Sequence, residues 1–252
     1  MYFEPGKKYH SRFFHRRYAL DALRATSGKV LDIGCGRGGI TASIARGRRD
    51  LEFWACDKSE EALAAFRKDS KDLRIRLKKS DAHKLAFRKG QFEAVLMVDV
   101  LEHLGKPGKA LKEAARVLKR GGAFHLVVPL EAEITTFDGI AKRLFAKNLK
   151  RKSIGHIQQF TLREIDGMIK SSGFKFLRVR FSYHFFYQFF SLVYFLYVGA
   201  RGGNYLPLAS DKRSLNRLIL WLTALGTLLV NFESGILAKI RGQTAHITAE
   251  RI

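Results

Sequence analysis

Short apolar runs, each ending at a polar or glycine-rich step, recur through the first hundred residues of the chain. The first, Lys29–Ile40, reads K-V-L-D-I-G-C-G-R-G-G-I and joins an apolar run to a glycine-rich turn. The second, Leu51–Cys56, ends at Asp57, and a third strand-like run closes at Ser80–Ala82. A fourth, Val95–Leu104, reads V-L-M-V-D-V-L-E-H-L. Runs of this kind are typical of strands buried in a parallel sheet.

The glycine-rich turn after the first run predicts a nucleotide-binding site. Gly34, Gly36 and Gly38 let the backbone bend sharply and approach a ligand, and the next helix would point its free N–H groups at that ligand. The turn alone does not identify the ligand, because Gly34, Gly36 and Gly39 also satisfy the dinucleotide pattern G-x-G-x-x-G. Asp57, about twenty residues on, could accept both ribose hydroxyls of an adenosine, as in enzymes that bind NAD.

The C-terminal third changes in character. Apolar residues at helical spacing predict a helix at Phe160–Gly173, and the alternating F-K-F-L-R-V-R-F of Phe174–Phe181 predicts a strand. Two uncharged, aromatic-rich or apolar runs follow at Phe181–Ala200 and Leu218–Phe232. A membrane-spanning helix needs about 20 mostly apolar residues. The first run barely reaches that length and the second does not, so the sequence disfavours a span.

Three further features identify a family resemblance: Asp32 two residues before Gly34, the S-D-A step at Ser80–Ala82, and the Val95–Leu104 run. Together with the turn they resemble the class I S-adenosylmethionine-dependent methyltransferases, in particular the type 11 subgroup that includes quinone-biosynthesis enzymes. The resemblance covers roughly residues 9–180. It implies an α/β fold with a Rossmann-like doubly wound sheet, mostly parallel, and an antiparallel C-terminal strand for which Thr244–Arg251 is the best candidate.

The resemblance also implies a cofactor site for S-adenosylmethionine. Asp32 and the turn Gly34–Gly38 would hold its methionine end, and Asp57 would bind the ribose. Asp32 could instead only cap or orient the turn. The complete set of predicted cofactor-binding residues is Asp32, Gly34, Cys35, Gly36, Gly38, Asp57, Lys58, Asp81, Ala82, Asp99 and Val100.

Two later steps complete this predicted site. By the resemblance, Asp81 would bond the adenine amino group with the backbone of Ala82 beside it, although Asp81 could simply be a loop carboxylate. Asp99 and Val100, at the end of the fourth strand, would lie under the cofactor where the methyl group leaves.

Methyl transfer asks little of side chains, because the sulfonium carbon is already activated and the enzyme mainly aligns the acceptor. A general base is needed only if the acceptor starts protonated. His103 and His156 are the catalytic candidates, with Glu102 behind them; each histidine could instead be structural. No His/Asp/Glu cluster has metal-ligand spacing along the chain, so we expect no metal and disfavour the ion-dependent catechol type.

We expect four segments: an N-terminal helical segment at 1–28, a methyltransferase core at 29–181, a hydrophobic and basic insertion at 182–241, and a final core strand at 242–252. The insertion is too long for a hairpin connection, which indicates a functional addition. We interpret it as a hairpin of two helices lying in the cytoplasmic face of a membrane. A substrate cap or a dimer surface is the alternative.

The chain carries 46 Lys and Arg against 23 Asp and Glu, a formal net charge of +23. Such a charge favours an anionic neighbour, either lipid headgroups or nucleic acid, unless it reflects a basic proteome. Two cysteines argue against a disulfide framework and are consistent with a reducing compartment. The first residues lack the apolar core of a secretory signal, so we expect no removed leader and a cytoplasmic protein, peripheral or monotopic on the membrane.

The sequence therefore predicts methyl transfer from S-adenosylmethionine to a small-molecule or lipid-like acceptor at a membrane surface. An RNA methyltransferase is one alternative, but Val-Leu-Glu follows Asp99 where base-methylating amino enzymes carry a Pro-Pro-aromatic signature, and both cysteines precede the fourth strand. A non-catalytic S-adenosylmethionine-binding module is the other, disfavoured because all four strand-end aspartates are present. The acceptor molecule, the acceptor atom and the oligomeric state stay open.

Overall fold

The computed structural model describes residues 12–133, 136–137, 155–190 and 213–252, and for 213–224 it describes the backbone alone. Within these ranges the chain forms one seven-stranded sheet in the order β3-β2-β1-β4-β5-β7-β6. The strands are β1 (Lys29–Ile33), β2 (Glu52–Asp57), β3 (Ile75–Lys79), β4 (Phe92–Val98), β5 (Leu118–Pro129), β6 (Phe174–Ser182) and β7 (Thr244–Arg251). The helices are α1 (Phe13–Ala22), α2 (Gly39–Gly47), α3 (Glu60–Asp69), α4 (Pro107–Val117), α5 (Leu162–Ser171) and α6 (Arg213–Ile236).

The sheet is parallel except at its last strand. β1 to β5 pair in parallel, whereas β7 runs antiparallel to both β5 and β6. This confirms the predicted Rossmann-like sheet with an antiparallel C-terminal strand, and β7 has the predicted bounds, Thr244–Arg251. In register, Ile33 of β1 lies between Cys56 of β2 and Met97 of β4, so these three strands end together. The turns that follow them therefore meet at one edge.

Helices cover both faces of the sheet. Successive side chains of β1 point to opposite faces, and apolar ones lie on both, so each face packs against helices. Val30 packs with Ala19 of α1 and Ile44 of α2 on one face. Leu31 belongs to a second apolar cluster that contains Leu111 of α4 and residues of α5. The result is a doubly wound core in which β1 and β4 are buried along almost their whole length.

The segment between β6 and β7 is helical where the structure describes it. Residues 185–190 are helical, and α6 leads back toward β7. The carboxylate of Glu233 on α6 accepts hydrogen bonds from the backbone N–H groups of Phe185 and Phe186 at 3.1 and 3.0 Å. The helical residues 185–190 and α6 are therefore in contact. Residues 191–212, in the middle of the predicted insertion, lie outside the described residues, and the four-segment division stays a prediction.

Within the described ranges, we find no helix with both the length and the apolar character required to span a bilayer.

Candidate active site

The glycine-rich turn folds tightly between β1 and α2. Gly34 and Gly38 both have left-handed backbone angles, with φ of +73° and +74°. A Cβ on Gly34 would lie 2.5 Å from the Val100 side chain, and one on Gly38 would lie 2.3 Å from the ring of Phe66. Apart from its chain neighbours, no described residue lies within 4 Å of a Cβ built on Gly36, so the backbone at the tip of the turn is uncrowded.

Asp57, at the end of β2, faces this turn. One of its carboxylate oxygens accepts the Gly36 N–H at 2.8 Å, and the other accepts the Ser59 N–H at 2.9 Å. Both bonds fix the plane of the carboxylate and leave lone pairs on each oxygen. The predicted ribose ligand is therefore held in place by the turn itself, and Lys58 next to it is exposed.

Asp32 lies behind the turn and is buried. Its carboxylate accepts the hydroxyl of Thr41 at 2.5 Å, which ties β1 to α2. Burial raises the pKa of Asp32 to about 7, the Thr41 hydrogen bond lowers it, and the negative charge of Asp57 raises it further. The alternative in which Asp32 orients the turn thus has a structural basis, while its contact with a cofactor stays a prediction.

Asp81 and Ala82 follow β3 at the same edge. Asp81 is exposed and accepts the backbone N–H of His83 at 2.8 Å, and this bond lowers the pKa of the carboxyl. The N–H of Ser80 donates to the carbonyl of Asp57 at 3.0 Å, which holds the two strand ends together. Asp81 is thus placed near Asp57, but its described partners are those of a loop carboxylate.

Asp99 directly follows β4 and has a left-handed backbone conformation, with φ of +54°. Such an angle is uncommon outside glycine and turns the side chain away from the strand direction. The carboxylate lies 3.4 Å from Nε2 of His15 and 3.6 Å from Nη2 of Arg12. Burial alone would raise the pKa of Asp99, but the electrostatic interaction and hydrogen bond with His15, together with the charge of Arg12, outweigh burial and lower the pKa to about 2.

Arg12 and His15 were missed in the sequence because no local motif marks them. They belong to the first turn of the N-terminal helical segment, more than eighty residues before Asp99. α1 packs against α2 and approaches β5 and β7, and this packing brings their side chains to the end of β4. Only the tertiary arrangement could have indicated them.

His103 and His156, predicted separately as catalytic candidates, lie together in the structure. Their rings are 4.9 Å apart and perpendicular. Nδ1 of His103 is 3.0 Å from the carbonyl of Gly155, and Nδ1 of His156 is 2.8 Å from a carboxylate oxygen of Glu131. Glu131, at 0% exposure, was not singled out in the sequence, since it follows β5 without any motif.

Glu102 completes this group. It is 1% exposed, and one of its oxygens lies 4.0 Å from Nε2 of His156. Burial and the repulsion of Asp99 raise its pKa well above the usual range. One ligand atom from each of Glu102, His103 and His156 falls within 4.8 Å of the others. The expectation of no such cluster rested on spacing along the chain; in space, the fold brings these three side chains together.

The two cysteines, Cys35 in the glycine-rich turn and Cys56 in β2, do not have reactive thiols. Burial raises the pKa of Cys56 to about 12 and holds that of Cys35 far above its usual value. Both therefore stay protonated at neutral pH and offer no thiolate to a metal or an electrophile. Cys35 contributes its backbone N–H, which donates to the Cys56 carbonyl at 3.0 Å.

The residues at this edge fit the cofactor that the sequence implies. The backbone at Gly36 is uncrowded by other described residues, the carboxylate of Asp57 can accept a pair of hydroxyls, and the buried carboxylate of Asp32 suits a cationic amino group. Asp99, held ionised, faces the same edge and suits a neighbouring sulfonium charge.

Comparison with known proteins agrees with this geometry. Residues 31–126 match the family model of the type 11 methyltransferase domain. A ubiquinone biosynthesis O-methyltransferase of Caulobacter vibrioides is 36% identical over 96 residues, which are 37% of this chain and 37% of that protein. A fatty-acid O-methyltransferase of Mycolicibacterium smegmatis is 29% identical over 115 residues, 43% and 42% of the two chains. The match thus spans about two fifths of these curated relatives.

A solved structure of an S-adenosylmethionine-dependent methyltransferase from Mesorhizobium loti has the same fold. It superimposes with a TM-score of 0.59 over 96% of this chain and 98% of its own, at 15% sequence identity. Residues 31–126 are therefore similar to a type 11 methyltransferase domain, and the described chain has the class I S-adenosylmethionine-dependent methyltransferase fold that the sequence predicted.

Proposed function

We propose that the protein transfers the methyl group of S-adenosylmethionine to a small or lipid-like acceptor by direct in-line displacement. The observation that carries this proposal is the meeting, at one sheet edge, of the glycine turn, the Asp57 carboxylate and the ionised Asp99. The cofactor supplies a methyl group already activated by its sulfonium charge. The work of the chain is then to bind, orient and exclude water.

The cofactor side of the site is divided among three carboxylates. Asp57 accepts the ribose hydroxyls, in a plane fixed by Gly36 and Ser59. Asp32 accepts a hydrogen bond from the cationic amino group of the methionine end and must be ionised to pair with its charge. Asp99 stays ionised because His15 and Arg12 are beside it, and its charge stabilises a cation at the end of β4.

The acceptor side is assigned to His103 and His156. A hydroxyl acceptor must lose its proton as its oxygen attacks the methyl carbon. The Nδ1 bond from His156 to buried Glu131 fixes the ring and would stabilise a positive charge on it, which is the arrangement required of a general base. His103 is held by its hydrogen bond to the Gly155 carbonyl and lies next to His156 on the proposed acceptor side.

The lipid-like character of the acceptor is supported by an aromatic patch on the segment between β6 and β7. The patch comprises Phe185, Phe186, Phe189, Phe190, Phe232 and Ile236, all exposed. Exposed clusters of this kind are unusual on a soluble surface and suit the interface of a membrane, where aromatic rings settle. The net charge of +23 would add attraction to anionic headgroups. Two relatives named for ubiquinone biosynthesis and for fatty-acid methylation are consistent with such acceptors.

A labelling experiment tests the proposed reaction. The purified protein is incubated with S-adenosylmethionine carrying a radiolabelled methyl group and with cell extract, and lipid, RNA and polar metabolites are then separated. We expect enzyme-dependent label in the lipid fraction. Label in RNA would overturn the acceptor class, and no label in any fraction would favour a non-catalytic binding module.

Vesicle sedimentation tests the membrane part separately. A double variant, Phe185→Ser with Phe189→Ser, should sediment less with phosphatidylglycerol vesicles than the native protein. Leu177→Ser is the matched control, because Leu177 is about as exposed but lies on β6, outside the patch. Equal sedimentation of all three proteins would refute a role of the aromatic patch in membrane binding.

A further inference from the structure

The cluster of Glu102, His103 and His156 has the composition of a metal site. We infer that these three side chains bind one divalent transition-metal ion, with zinc as the best-fitting ion, beside the reacting end of β4. The inference rests on the proposed function for its catalytic use but not for its binding test. Glu102 and His103 belong to the 3₁₀ turn that starts two residues after Asp99, and His156 comes from the segment before α5.

The hydrogen bonds of both histidines prepare them as ligands. His103 is 3.0 Å from a backbone carbonyl through Nδ1, so this nitrogen must carry the proton and Nε2 must carry the lone pair. His156 makes the corresponding bond through Nδ1 to the carboxylate of Glu131 at 2.8 Å. A carboxylate or carbonyl on the distant ring nitrogen is the outer-shell arrangement that orients metal-binding histidines. Here the same arrangement occurs on two histidines in ring contact.

Glu102 is the third proposed ligand, and its buried carboxylate is separate evidence that a cation binds here. Its side chain is 1% exposed, and its Oε2 has no hydrogen-bond partner among the residues that the structure describes. A buried polar oxygen without a partner is costly, and a bound cation would remove that cost. Its other oxygen is the one 4.0 Å from Nε2 of His156. The backbone of Glu102 is fixed as well, since its carbonyl accepts the N–H groups of Ile157 and Gln158 at 3.0 Å.

Two imidazoles and one carboxylate form the donor set of many catalytic zinc sites, which keep a fourth position open. Zinc ligands at about 2.1 Å from the ion lie roughly 3.4 Å from one another. The three ligand atoms here lie within 4.8 Å of one another, so shifts of about 1 Å would close the site. Both Glu102 and Glu131 are buried, and two carboxylates offset the charge of a divalent ion.

The open position assigns a role to the ion. An acceptor hydroxyl bound there would have its pKa lowered, and its proton would pass to solvent water. Its oxygen would then form a bond to the methyl carbon as the carbon–sulfur bond breaks and the sulfur keeps the electron pair. In that case the ion, rather than a ring nitrogen of His156, activates the acceptor.

Binding of zinc to the full-length protein tests the inference without any acceptor. Protein stripped with a chelator is titrated with Zn²⁺ by calorimetry, bound metal is counted by mass spectrometry, and Co²⁺ is used as a spectroscopic probe of tetrahedral geometry. We expect one ion per chain. His103→Ala and Glu102→Gln should each weaken binding about 100-fold, and Glu131→Gln, which removes the outer-shell carboxylate, about 10- to 100-fold. His83→Ala is the control, because His83 follows β3, contacts Asp81 and is not one of the three proposed metal ligands.

Binding of S-adenosylhomocysteine reports whether each variant is folded. Less than one zinc per chain, or zinc binding that survives in both His103→Ala and Glu102→Gln, would overturn the metal site. Methyl transfer by the metal-free protein would then assign the histidine pair to base catalysis and leave the proposed function intact. Full zinc binding without transfer to any acceptor would refute the proposed function and keep the site.

Discussion

The elevated pKa of Asp32 makes cofactor affinity depend on pH in a predictable direction. Burial brings this pKa to about 7 in the protein without cofactor, with Asp57 adding to the effect and Thr41 opposing it. A cationic amino group of the cofactor binds the ionised carboxylate and not the neutral acid. Cofactor binding should therefore release a proton from Asp32 below pH 7, and affinity should rise with pH until Asp32 is ionised in the free protein.

The size of the effect follows from that pKa. At pH 6 about one Asp32 in ten is ionised, so affinity should be about tenfold below its plateau, which corresponds to about 1.4 kcal/mol. Above about pH 8 the contribution of Asp32 should be constant. Thr41→Val removes the hydrogen bond that favours the ionised form, so it should move the midpoint of the profile to higher pH.

Calorimetric titration with S-adenosylmethionine between pH 5.5 and 8.5 measures this profile. The difference between the native protein and Asp32→Asn isolates the ionisation of Asp32 below about pH 7, where the amino group of the cofactor keeps its positive charge. We expect the pH-dependent rise to be lost in Asp32→Asn. Parallel profiles for the two proteins would show that Asp32 does not contact the cofactor and only orients the turn through Thr41.

Two further substitutions test the same edge of the sheet. Asp57→Ala removes the carboxylate that Gly36 positions, so it should weaken S-adenosylmethionine binding by roughly 1.5–3 kcal/mol, about 10- to 150-fold. Glu60→Ala, which removes a nearby exposed carboxylate, is the control and should leave the affinity unchanged. If calorimetry shows the same affinity for Asp57→Ala as for the native protein, Asp57 does not bind the ribose. Gly38→Ala forces a side chain onto a left-handed backbone 2.3 Å from Phe66 and should lower the free energy of unfolding by roughly 2–4 kcal/mol. Gly39→Ala is its control, since open space surrounds that position, and denaturant unfolding that fails to separate the two would contradict the described turn.

The sequence predicted the shared edge of β1, β2 and β4 well because parallel strands align their ends. The order of apolar runs and the residue after each run were enough to bring Asp57 and Asp99 to the same edge as the turn. Thr244–Arg251 was also predictable, since the family resemblance implied a last antiparallel strand and this segment was its best candidate. These features depend on local pattern and on a topology with few alternatives.

The acceptor side was less predictable because its contacts join distant parts of the chain. Glu131 contacts His156 because of the path of the backbone after β5, and Arg12 contacts Asp99 because of the packing of α1. Neither contact leaves a periodic signal. His103 and His156 could be nominated one by one as histidines near the expected site, but fifty residues of sequence separate them and conceal their ring contact.

The register of the last two strands has a consequence for how freely the segment between them can vary. Ser182 at the end of β6 is the direct partner of Thr244 at the start of β7, so the roughly sixty residues between them leave and re-enter the sheet at neighbouring points. The entropy of closing such a connection grows only with the logarithm of its length, and it exceeds that of a four-residue turn by about 2 kcal/mol. Versions of this chain with longer or shorter connections are therefore expected to keep the same strand register, so that this segment can change in length without disturbing the edge at which β1, β2 and β4 end.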